Sequence, residues 1–318
     1  MKILANDGID ASAKIALEAH GFSIDTNNIP QTELASKINN YDVLLVRSAT
    51  KVTKEILDAA PNLKLVGRAG VGLDNIDTNY AKEKGVAVVN TPAASSTSVA
   101  ELVFAHMFSI CRMLQYSNRQ MPENGMSQFN QLKKTTSAGV ELKGKTLGLI
   151  GFGRIGREAA RMAFGLGMNV IAFDPMISEA NVEITFHEDA GIPSVTKTIK
   201  TISKEDVLKQ ADFVSLHIPG GQGYVIAEAE LKMMKPNAGL INCARGGVVC
   251  EVDLVAALNN KTIAYAGVDV FEKEPPMYDG ILKLDNVSLT PHIGASTNEA
   301  QKRIGDEMAE QIIRFFNS

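Results

Sequence analysis

The stretch LGLIGFGRIGREAARMAFGLGMNVIAFD, residues 147–174, holds an apolar strand, a glycine-rich turn, a helix and a second strand in one run. Gly151, Gly153 and Gly156 have the spacing GxGxxG. In that spacing the first glycine permits a tight turn, the second lets a phosphate approach the backbone, and the third lets helix and strand pack closely. A helix that begins at such a turn directs its backbone N–H groups at the anion. The stretch therefore predicts a dinucleotide-binding βαβ unit, with a glycine turn needed only for packing as the alternative.

The acid at the end of the second strand indicates which dinucleotide is bound. Asp174 lies 18 positions after Gly156, close to the offset of about 20 residues at which an acid contacts the ribose hydroxyls of the cofactor. A carboxylate at that place also repels the 2′-phosphate of NADP. We therefore expect NAD as the cofactor.

Strands and helices alternate on both sides of this unit. Strands are predicted in the first half at 2–6, 43–47, 63–67 and 86–90, and in the second half at 169–174, 212–217, 239–243 and 265–270. A small polar stretch at 92–98, a long apolar helix over 99–120 and an irregular polar stretch at 122–145 separate the two halves. A βα alternation predicts an α/β fold with parallel sheets, and 318 residues are enough for two domains.

Composition narrows the class of protein. Hydrophobic residues make up 45% of the chain and charged residues 21%, and the net charge is −4. This mild acidity gives no general attraction to nucleic acid or to an anionic membrane, so an anionic ligand needs local positive groups. The N-terminus has no signal-peptide pattern, and no apolar run approaches the roughly 18 residues of a membrane span. Cys111, Cys243 and Cys250 form no CxxC pair, so we expect cytoplasmic free thiols and no metal site.

Three later stretches offer one group each for acid–base chemistry. They are NCARGG (242–247), DVFEKEPP (269–276) and TPHIGAS (290–296). Arg245 follows a predicted strand, where open α/β sheets place their ligands, and it can grip a carboxylate with two hydrogen bonds. His292 can move a proton, and Glu274 can fix its tautomer and favour its charged form. Together they could oxidise a hydroxy acid.

Each of these residues has a plainer alternative. Arg245 alone could cap the following helix, and a lone His is more often structural than catalytic; their occurrence together favours the catalytic interpretation. Glu272 is the competing acid for Glu274. Of the other histidines, His217 ends a strand and could line the cofactor site. The remaining three, which we expect to be structural or solvated, are His20, His106 and His187.

Long runs of the chain resemble one enzyme family. These runs are VRSATKVT (46–53), VGRAGVGLDNID (66–77), GFGRIGREAA (151–160), NCARGGVV (242–249) and TPHIGASTNEAQ (290–301). They are similar to the D-isomer-specific 2-hydroxyacid dehydrogenases, and within that family to the phosphoglycerate dehydrogenases. The resemblance implies two Rossmann-like or flavodoxin-like domains, with cofactor and substrate in the cleft between them. Residues 1–98 and 290–318 would form the substrate-binding domain, and 99–289 the NAD-binding domain.

The resemblance also implies roles for individual residues. Arg245, Glu274 and His292 would be catalytic, with the backbone amides of Gly70 and Val71 helping Arg245 to hold the substrate. The residues expected to contact the cofactor are Gly151, Gly153, Arg154, Ile155, Gly156, Asp174, His217, Ile218, Cys243, Ala244, Arg245, Asp269, His292, Gly294 and Ala295. The chain departs from the family pattern at HIPGGQGYVI (217–226), where Ile218 replaces a frequent Thr. Asp269 has a plainer alternative as a turn residue.

A phosphorylated substrate needs additional donors. Arg47 follows a predicted strand and Ser48 stands beside it, so both are candidates for contacts with the phosphate. Arg68 could contribute or could brace the turn that holds Gly70. Lys133 and Lys134 could reach the phosphate from a partner subunit, or could simply be solvated; we retain Lys134 as a candidate.

The activity implied by the resemblance is NAD-dependent oxidation of 3-phospho-D-glycerate to 3-phosphooxypyruvate, the first step of serine synthesis. A homodimer formed through the NAD-binding domain is expected. Alternatives are another D-2-hydroxyacid substrate, such as glyoxylate, hydroxypyruvate or a D-lactate-like acid, and an NAD-sensing interaction protein like the corepressors that share this fold. Long members of the family carry C-terminal serine-binding modules; since the chain stops at Ser318, inhibition through such a module is not expected.

Overall fold

A computed structural model describes residues 1–317. Contacts within the chain divide it into two compact units. The first unit comprises Met1–Ser98 together with the C-terminal segment from Ala295, and the second comprises Val99–Gly294. The chain therefore returns to the first unit after Gly294, whereas the boundary predicted from the sequence lies before Thr290. Backbone N–H groups of Thr290 and His292 donate to carbonyls of the second unit, which explains why this segment belongs there.

The first unit is a parallel sheet covered by helices. Its strands are β1 (Lys2–Ala5), β2 (Ser23–Asp25), β3 (Val43–Val46), β4 (Leu65–Arg68) and β5 (Ala87–Asn90). Its helices are α1 (Ala11–Ala19), α2 (Gln31–Lys37), α3 (Lys54–Asp58), α4 (Thr78–Glu83) and the C-terminal helix (Asn298–Asn317). The strand order is β2-β1-β3-β4-β5, and every pair is parallel.

Both faces of this sheet are buried. Leu44 and Val46 of β3 pack in one core, and Val43 and Leu45 pack in the other. A central strand covered on both sides is continuously apolar for this reason, and VLLVR was recognisable as such. The C-terminal helix contributes Met308 to the second of these cores, so the last segment of the chain completes the unit formed by the first.

The second unit is a larger sheet of the same kind. Its main strands are β6 (Thr146–Ile150), β7 (Asn169–Phe173), β10 (Phe213–Leu216), β11 (Gly239–Asn242), β12 (Tyr265–Val268) and β13 (Val287–Leu289), and a separate antiparallel hairpin comprises β8 (Glu179–Ile184) and β9 (Val195–Lys200). Its helices are α5 (Ser96–Cys111), α6 (Leu114–Asn124), α7 (Phe129–Thr135), α8 (Arg154–Gly165), α9 (Lys204–Gln210), α10 (Glu228–Met233) and α11 (Glu251–Asn259). The main sheet has the order β13-β12-β11-β10-β6-β7 and is entirely parallel. The predicted α/β fold with parallel sheets is confirmed.

The long helix predicted over 99–120 is in fact two helices. Met113 has a φ of 51° and lies between α5 and α6, which are bent by 57°. A left-handed residue cannot continue a right-handed helix, so the chain turns there. The stretch at 122–145, predicted to be irregular, contains the end of α6 and all of α7.

Among residues 1–317, no single helix is long and apolar enough to span a membrane. The bent pair of α5 and α6 meets the criteria of length and composition when its helices are taken together. Helices that are buried in a protein core often meet the same criteria, and α5 is a core helix. Its residues Val103, Met107 and Ile110 are buried against the sheet of the second unit.

Candidate active site

Several candidate residues of the second unit, and Thr290 near His292, follow directly after its parallel strands. Gly151 follows β6, Asp174 follows β7, His217 follows β10, Cys243 follows β11, Asp269 follows β12 and Thr290 follows β13. In a parallel sheet all carboxyl ends lie along one edge, which is where open α/β sheets bind ligands. Six separate stretches of sequence therefore meet along a single edge of this sheet.

The glycine-rich turn fits a phosphate group. Gly151 has a φ of +96°, and a Cβ there would lie 2.3 Å from the carbonyl oxygen of His217. A Cβ on Gly156 would lie 2.3 Å from the Gly151 carbonyl oxygen, whereas one on Gly153 would meet nothing within 4 Å. Gly151 and Gly156 are thus required by close packing, and Gly153 faces open space at the N-terminus of α8. Arg154 and Ile155 form the exposed and half-buried start of that helix.

Asp174 is held against the same turn. Its Oδ2 accepts a hydrogen bond from the backbone N–H of Phe152 at 2.7 Å. Its Oδ1 accepts from the backbone N–H groups of Met176 at 2.9 Å and Ile177 at 3.1 Å. The carboxylate is half-buried, so it remains accessible to a ribose hydroxyl while its orientation is fixed.

Two residues after β10 lie on the glycine turn. Burial lowers the pKa of His217 to about 4, so its ring is neutral at physiological pH. Its Nε2 lies 3.1 Å from the hydroxyl of Ser215. The side chain of Ile218 lies next to Gly151, because a Cβ there would be 3.0 Å from Ile218 Cγ2. The substitution of Ile for Thr therefore places an apolar group beside the turn.

Arg245 lies in a loop that is packed closely onto the loop carrying Glu274. The side-chain amide of Asn242 accepts from the Ala244 N–H at 3.1 Å and donates to the Arg245 carbonyl at 3.0 Å. A Cβ on Gly246 would lie 1.8 Å from the carbonyl oxygen of Phe271, so only glycine permits this approach. Cys243 and Ala244 are buried at the start of the same loop, and burial raises the pKa of the Cys243 thiol well above its usual value.

Glu274, and not Glu272, contacts His292. The Nδ1 of His292 lies 2.9 Å from Glu274 Oε2, and the backbone N–H of Phe271 donates to Glu274 Oε1 at 3.3 Å. Glu272 instead accepts from the backbone N–H of Glu251 at 2.9 Å, at the start of α11. The side chains of His292 and Glu274 are 39% and 40% exposed, so the pair is accessible to a substrate. The contact with Glu274 occupies Nδ1 of His292 and leaves Nε2 for another partner.

The turn that carries His292 is held by Asp269, which is only 1% exposed. Asp269 Oδ1 accepts from the backbone N–H of Ile293 at 2.8 Å, and Oδ2 accepts from that of Gly294 at 2.9 Å. The Asp269 carbonyl accepts from the N–H of His292 at 2.8 Å. His292 itself has a φ of 56°, a left-handed conformation that costs energy for a residue other than glycine. Asp269 therefore fixes a strained turn.

The candidates for substrate contacts in the first unit follow its strands in the same way. Arg47 follows β3; its backbone N–H donates to Asp7 Oδ2 at 2.6 Å, and its carbonyl accepts from Asn75 at 2.7 Å. Its Nε is buried and has no hydrogen-bond partner within residues 1–317. Ser48 is exposed beside it.

Arg68 braces the turn that follows β4. A Cβ on Gly70, which has a φ of +144°, would lie 1.6 Å from Arg68 Nη1. The guanidinium is thus packed on the Gly70 backbone. Asn90 donates to the carbonyl of Val71 at 2.6 Å and fixes the next residue of the turn.

The remaining candidates lie elsewhere. Lys134 is exposed in the last turn of α7. Ala295 belongs to the first unit, where its carbonyl accepts from Gln301 at 2.7 Å. Within the described part of the chain, no cluster of three or more His, Cys, Asp or Glu residues could hold a metal ion. No local feature of the sequence indicates that buried His106 contacts Thr290 next to this site; its Nε2 lies 3.0 Å from the Thr290 hydroxyl.

Comparison with known proteins identifies the family. Residues 104–294 match the model of the D-isomer specific 2-hydroxyacid dehydrogenase NAD-binding domain. The chain is 42% identical to a D-3-phosphoglycerate dehydrogenase of Methanocaldococcus jannaschii, over 98% of this chain and 57% of that protein. It is 39% identical to a hydroxypyruvate reductase of Thermotoga maritima, over 98% of this chain and 97% of that protein.

The chain belongs to the D-isomer specific 2-hydroxyacid dehydrogenase family. It spans little more than half of the Methanocaldococcus protein, at 57%. A solved structure of D-lactate dehydrogenase from Aquifex aeolicus, in complex with NAD and lactic acid, covers 99% of the chain at 29% identity and a TM-score of 0.76, and the chain covers 95% of it. These matches confirm the predicted family and its NAD-binding domain.

Replacing Glu274 by Gln should lower the turnover of hydroxy-acid oxidation. A neutral amide can still contact Nδ1 of His292, but it offers no negative charge to the imidazolium formed in the reaction. In steady-state kinetics kcat should therefore fall, but by less than the roughly 10²–10⁴-fold expected for His292→Ala. Glu272→Gln is the matched control; a loss with Glu272→Gln alone would show that Glu272 is the functional acid.

Proposed function

We propose that the chain oxidises 3-phospho-D-glycerate to 3-phosphooxypyruvate with NAD, the first oxidation of serine synthesis. The observation that carries this proposal is the 2.9 Å contact between Glu274 and His292 at the carboxyl edge of a sheet whose glycine turn fits a dinucleotide. The name of the 42% identical Methanocaldococcus relative supports the substrate. NADH formation with purified protein and a panel of D-2-hydroxy acids, with and without a phosphate, tests it. A preference for 3-phospho-D-glycerate is expected.

Three side chains carry the proposed chemistry. Arg245 grips the substrate carboxylate with two charged hydrogen bonds and so orients the neighbouring hydroxyl. His292 takes the proton of that hydroxyl at Nε2, because Nδ1 is engaged by Glu274. Glu274 fixes the ring and stabilises the imidazolium that results. NAD, when bound, supplies the hydride acceptor.

A second candidate is the reduction of hydroxypyruvate. The Thermotoga relative with that name is 39% identical, and the chain covers 97% of its length. The same three side chains serve this reaction in reverse, since His292 would then donate the proton. In the substrate panel, a preference for the unphosphorylated acid would favour this candidate.

Asp174 should make NAD the preferred cofactor. Its carboxylate is oriented at the glycine turn, where it can accept from ribose hydroxyls and repel a 2′-phosphate. Asp174→Ala should weaken NAD binding and lower the ratio of turnover with NAD to turnover with NADP. Asp189→Ala, at an exposed carboxylate of the same unit, is the control and should leave the ratio unchanged. Equal turnover of the wild-type protein with both cofactors would contradict this assignment.

Arg47 is our candidate for the contact with the substrate phosphate. Its Nε is buried without a hydrogen-bond partner, so the side chain has bonding capacity left, and hydrogen bonds to Asp7 and Asn75 hold its backbone. Arg47→Ala should cost about 1.5–3 kcal/mol with 3-phospho-D-glycerate, the value of a charged hydrogen bond. An unphosphorylated hydroxy acid should lose far less kcat/KM. Arg314→Ala, at an exposed arginine of the same unit, is the control. If Arg47→Ala lowered kcat/KM equally for both substrates, Arg47 would be structural.

We also propose that the protein is a homodimer formed through its NAD-binding domain, with Lys134 as a candidate contribution to the partner's phosphate site. Large apolar side chains are exposed along α5, α6 and α7, namely Phe108, Leu114, Met121 and Phe129. Leu114→Asp should therefore shift the mass measured by light scattering from dimer toward monomer. Ile15→Asp changes a 68% exposed side chain of the first unit and should not. A wild-type monomer at high protein concentration would exclude the dimer.

A further inference from the structure

His106 is a buried histidine that the proposed chemistry does not use. It lies within α5 and is 1% exposed. Its Nδ1 lies 2.9 Å from the hydroxyl of Ser288, and its Nε2 lies 3.0 Å from that of Thr290. Gly267 on β12 makes room for it, because a Cβ there would lie 2.7 Å from His106 Cβ. The ring thus occupies a fitted place in which both nitrogens are satisfied.

The direction of each hydrogen bond in this group can be deduced. The hydroxyl of Thr290 donates to Asp269 Oδ1 at 2.6 Å, and a carboxylate only accepts. A threonine hydroxyl has a single hydrogen, so it must accept the bond from His106 Nε2. Nδ1 of His106 therefore accepts from Ser288. Burial lowers the pKa of His106 against the opposing effect of Asp269, which keeps the ring neutral in this one tautomer.

The same carboxylate holds the catalytic turn. Asp269 Oδ1 accepts both from the Thr290 hydroxyl and from the backbone N–H of Ile293. The left-handed conformation of His292 depends on these bonds, since the turn is strained. A continuous chain of hydrogen bonds thus runs from His106 through Thr290 and Asp269 to the backbone around His292.

We propose that His106 is a positioning residue for His292. By donating to Thr290 it orients the hydroxyl toward Asp269, and Asp269 in turn fixes the direction of the His292 imidazole toward Glu274. This inference rests on the proposed function, because it assigns importance to the alignment of His292 with the substrate hydroxyl. The competing explanation is that His106 only fills the core beneath α5.

Substitutions that keep or remove a single hydrogen-bond donor distinguish a positioning role of His106 from a role in core packing alone. Thr290→Val is isosteric and His106→Phe keeps an aromatic ring, and both break the chain of bonds. They should lower kcat by up to about 10²-fold, as misalignment of a catalytic group does. The KM for the cofactor should hardly change. Thr290→Ser keeps the hydroxyl and His106→Gln keeps an N–H donor, so both should retain most of the turnover. Ser288→Ala is the matched control, because Ser288 contacts the same ring but not Asp269.

Spectroscopy provides a readout that does not depend on turnover. The chain has five histidines, so 15N-histidine labelling resolves their ring nitrogens individually. In the wild-type protein His106 should be neutral with its proton on Nε2. The resonances of His292 should move in Thr290→Val and His106→Phe but stay in place in Ser288→Ala.

Two results would overturn the proposal. One is a proton on Nδ1 of His106 in the wild-type protein, which can be measured even when a variant fails to fold. The other is a folded His106→Phe protein with unchanged kcat and unchanged His292 resonances. Failure of the proposed function looks different: full turnover of His292→Ala would refute the catalytic role of His292, while the His292 resonances in Thr290→Val would still test the network.

Discussion

The turn that carries His292 depends on its hydrogen bonds to the buried carboxylate of Asp269. Burying a carboxylate costs free energy unless hydrogen-bond donors satisfy its oxygens, and Asp269 is only 1% exposed. Its donors are the hydroxyl of Thr290 and the backbone N–H groups of Ile293 and Gly294. Each donor belongs to the segment that carries His292. The cost of burying the charge is therefore offset only when that segment adopts the conformation that places His292 beside Glu274.

The parallel sheet explains why these groups meet at all. Residues after β12 and β13 share one edge with the glycine turn after β6, although the stretches are far apart in sequence. Close backbone contacts at Gly156 and Gly246 hold this edge compact, and each would be lost with any larger residue. The result is a framework that holds the exposed Glu274–His292 pair at this edge, while the Asp269 carboxylate that fixes the turn of His292 remains buried.

Much of this could be predicted from sequence because the signals are local. The GxGxxG spacing specifies its turn, and continuous apolar runs such as VLLVR specify buried parallel strands. Other features carry weaker signals. The break at Met113 depends on a left-handed residue that is not glycine, and no propensity indicates it. The hairpin of β8 and β9 shows apolar–polar alternation in VEITF, which a period-two search would have found.

The role of His106 could not be found from sequence for a different reason. An isolated His on an apolar helix does indicate burial, but its partners Ser288 and Thr290 lie 182 and 184 residues away. Only the packing of α5 against β12 and β13 brings them together. The boundary at Gly294 has the same origin, since hydrogen bonds to Asp269 decide to which unit the TPHIG segment belongs.

The central claim is that Glu274 and His292 act as one unit in proton transfer. A double-mutant cycle of Glu274→Gln and His292→Ala, read as kcat for hydroxy-acid oxidation, tests it most directly. Residues that act as a unit show strongly non-additive losses. Once His292 is removed, Glu274→Gln should therefore cause almost no further loss. Independent losses that multiply in the double variant would show that the 2.9 Å contact has no part in the reaction.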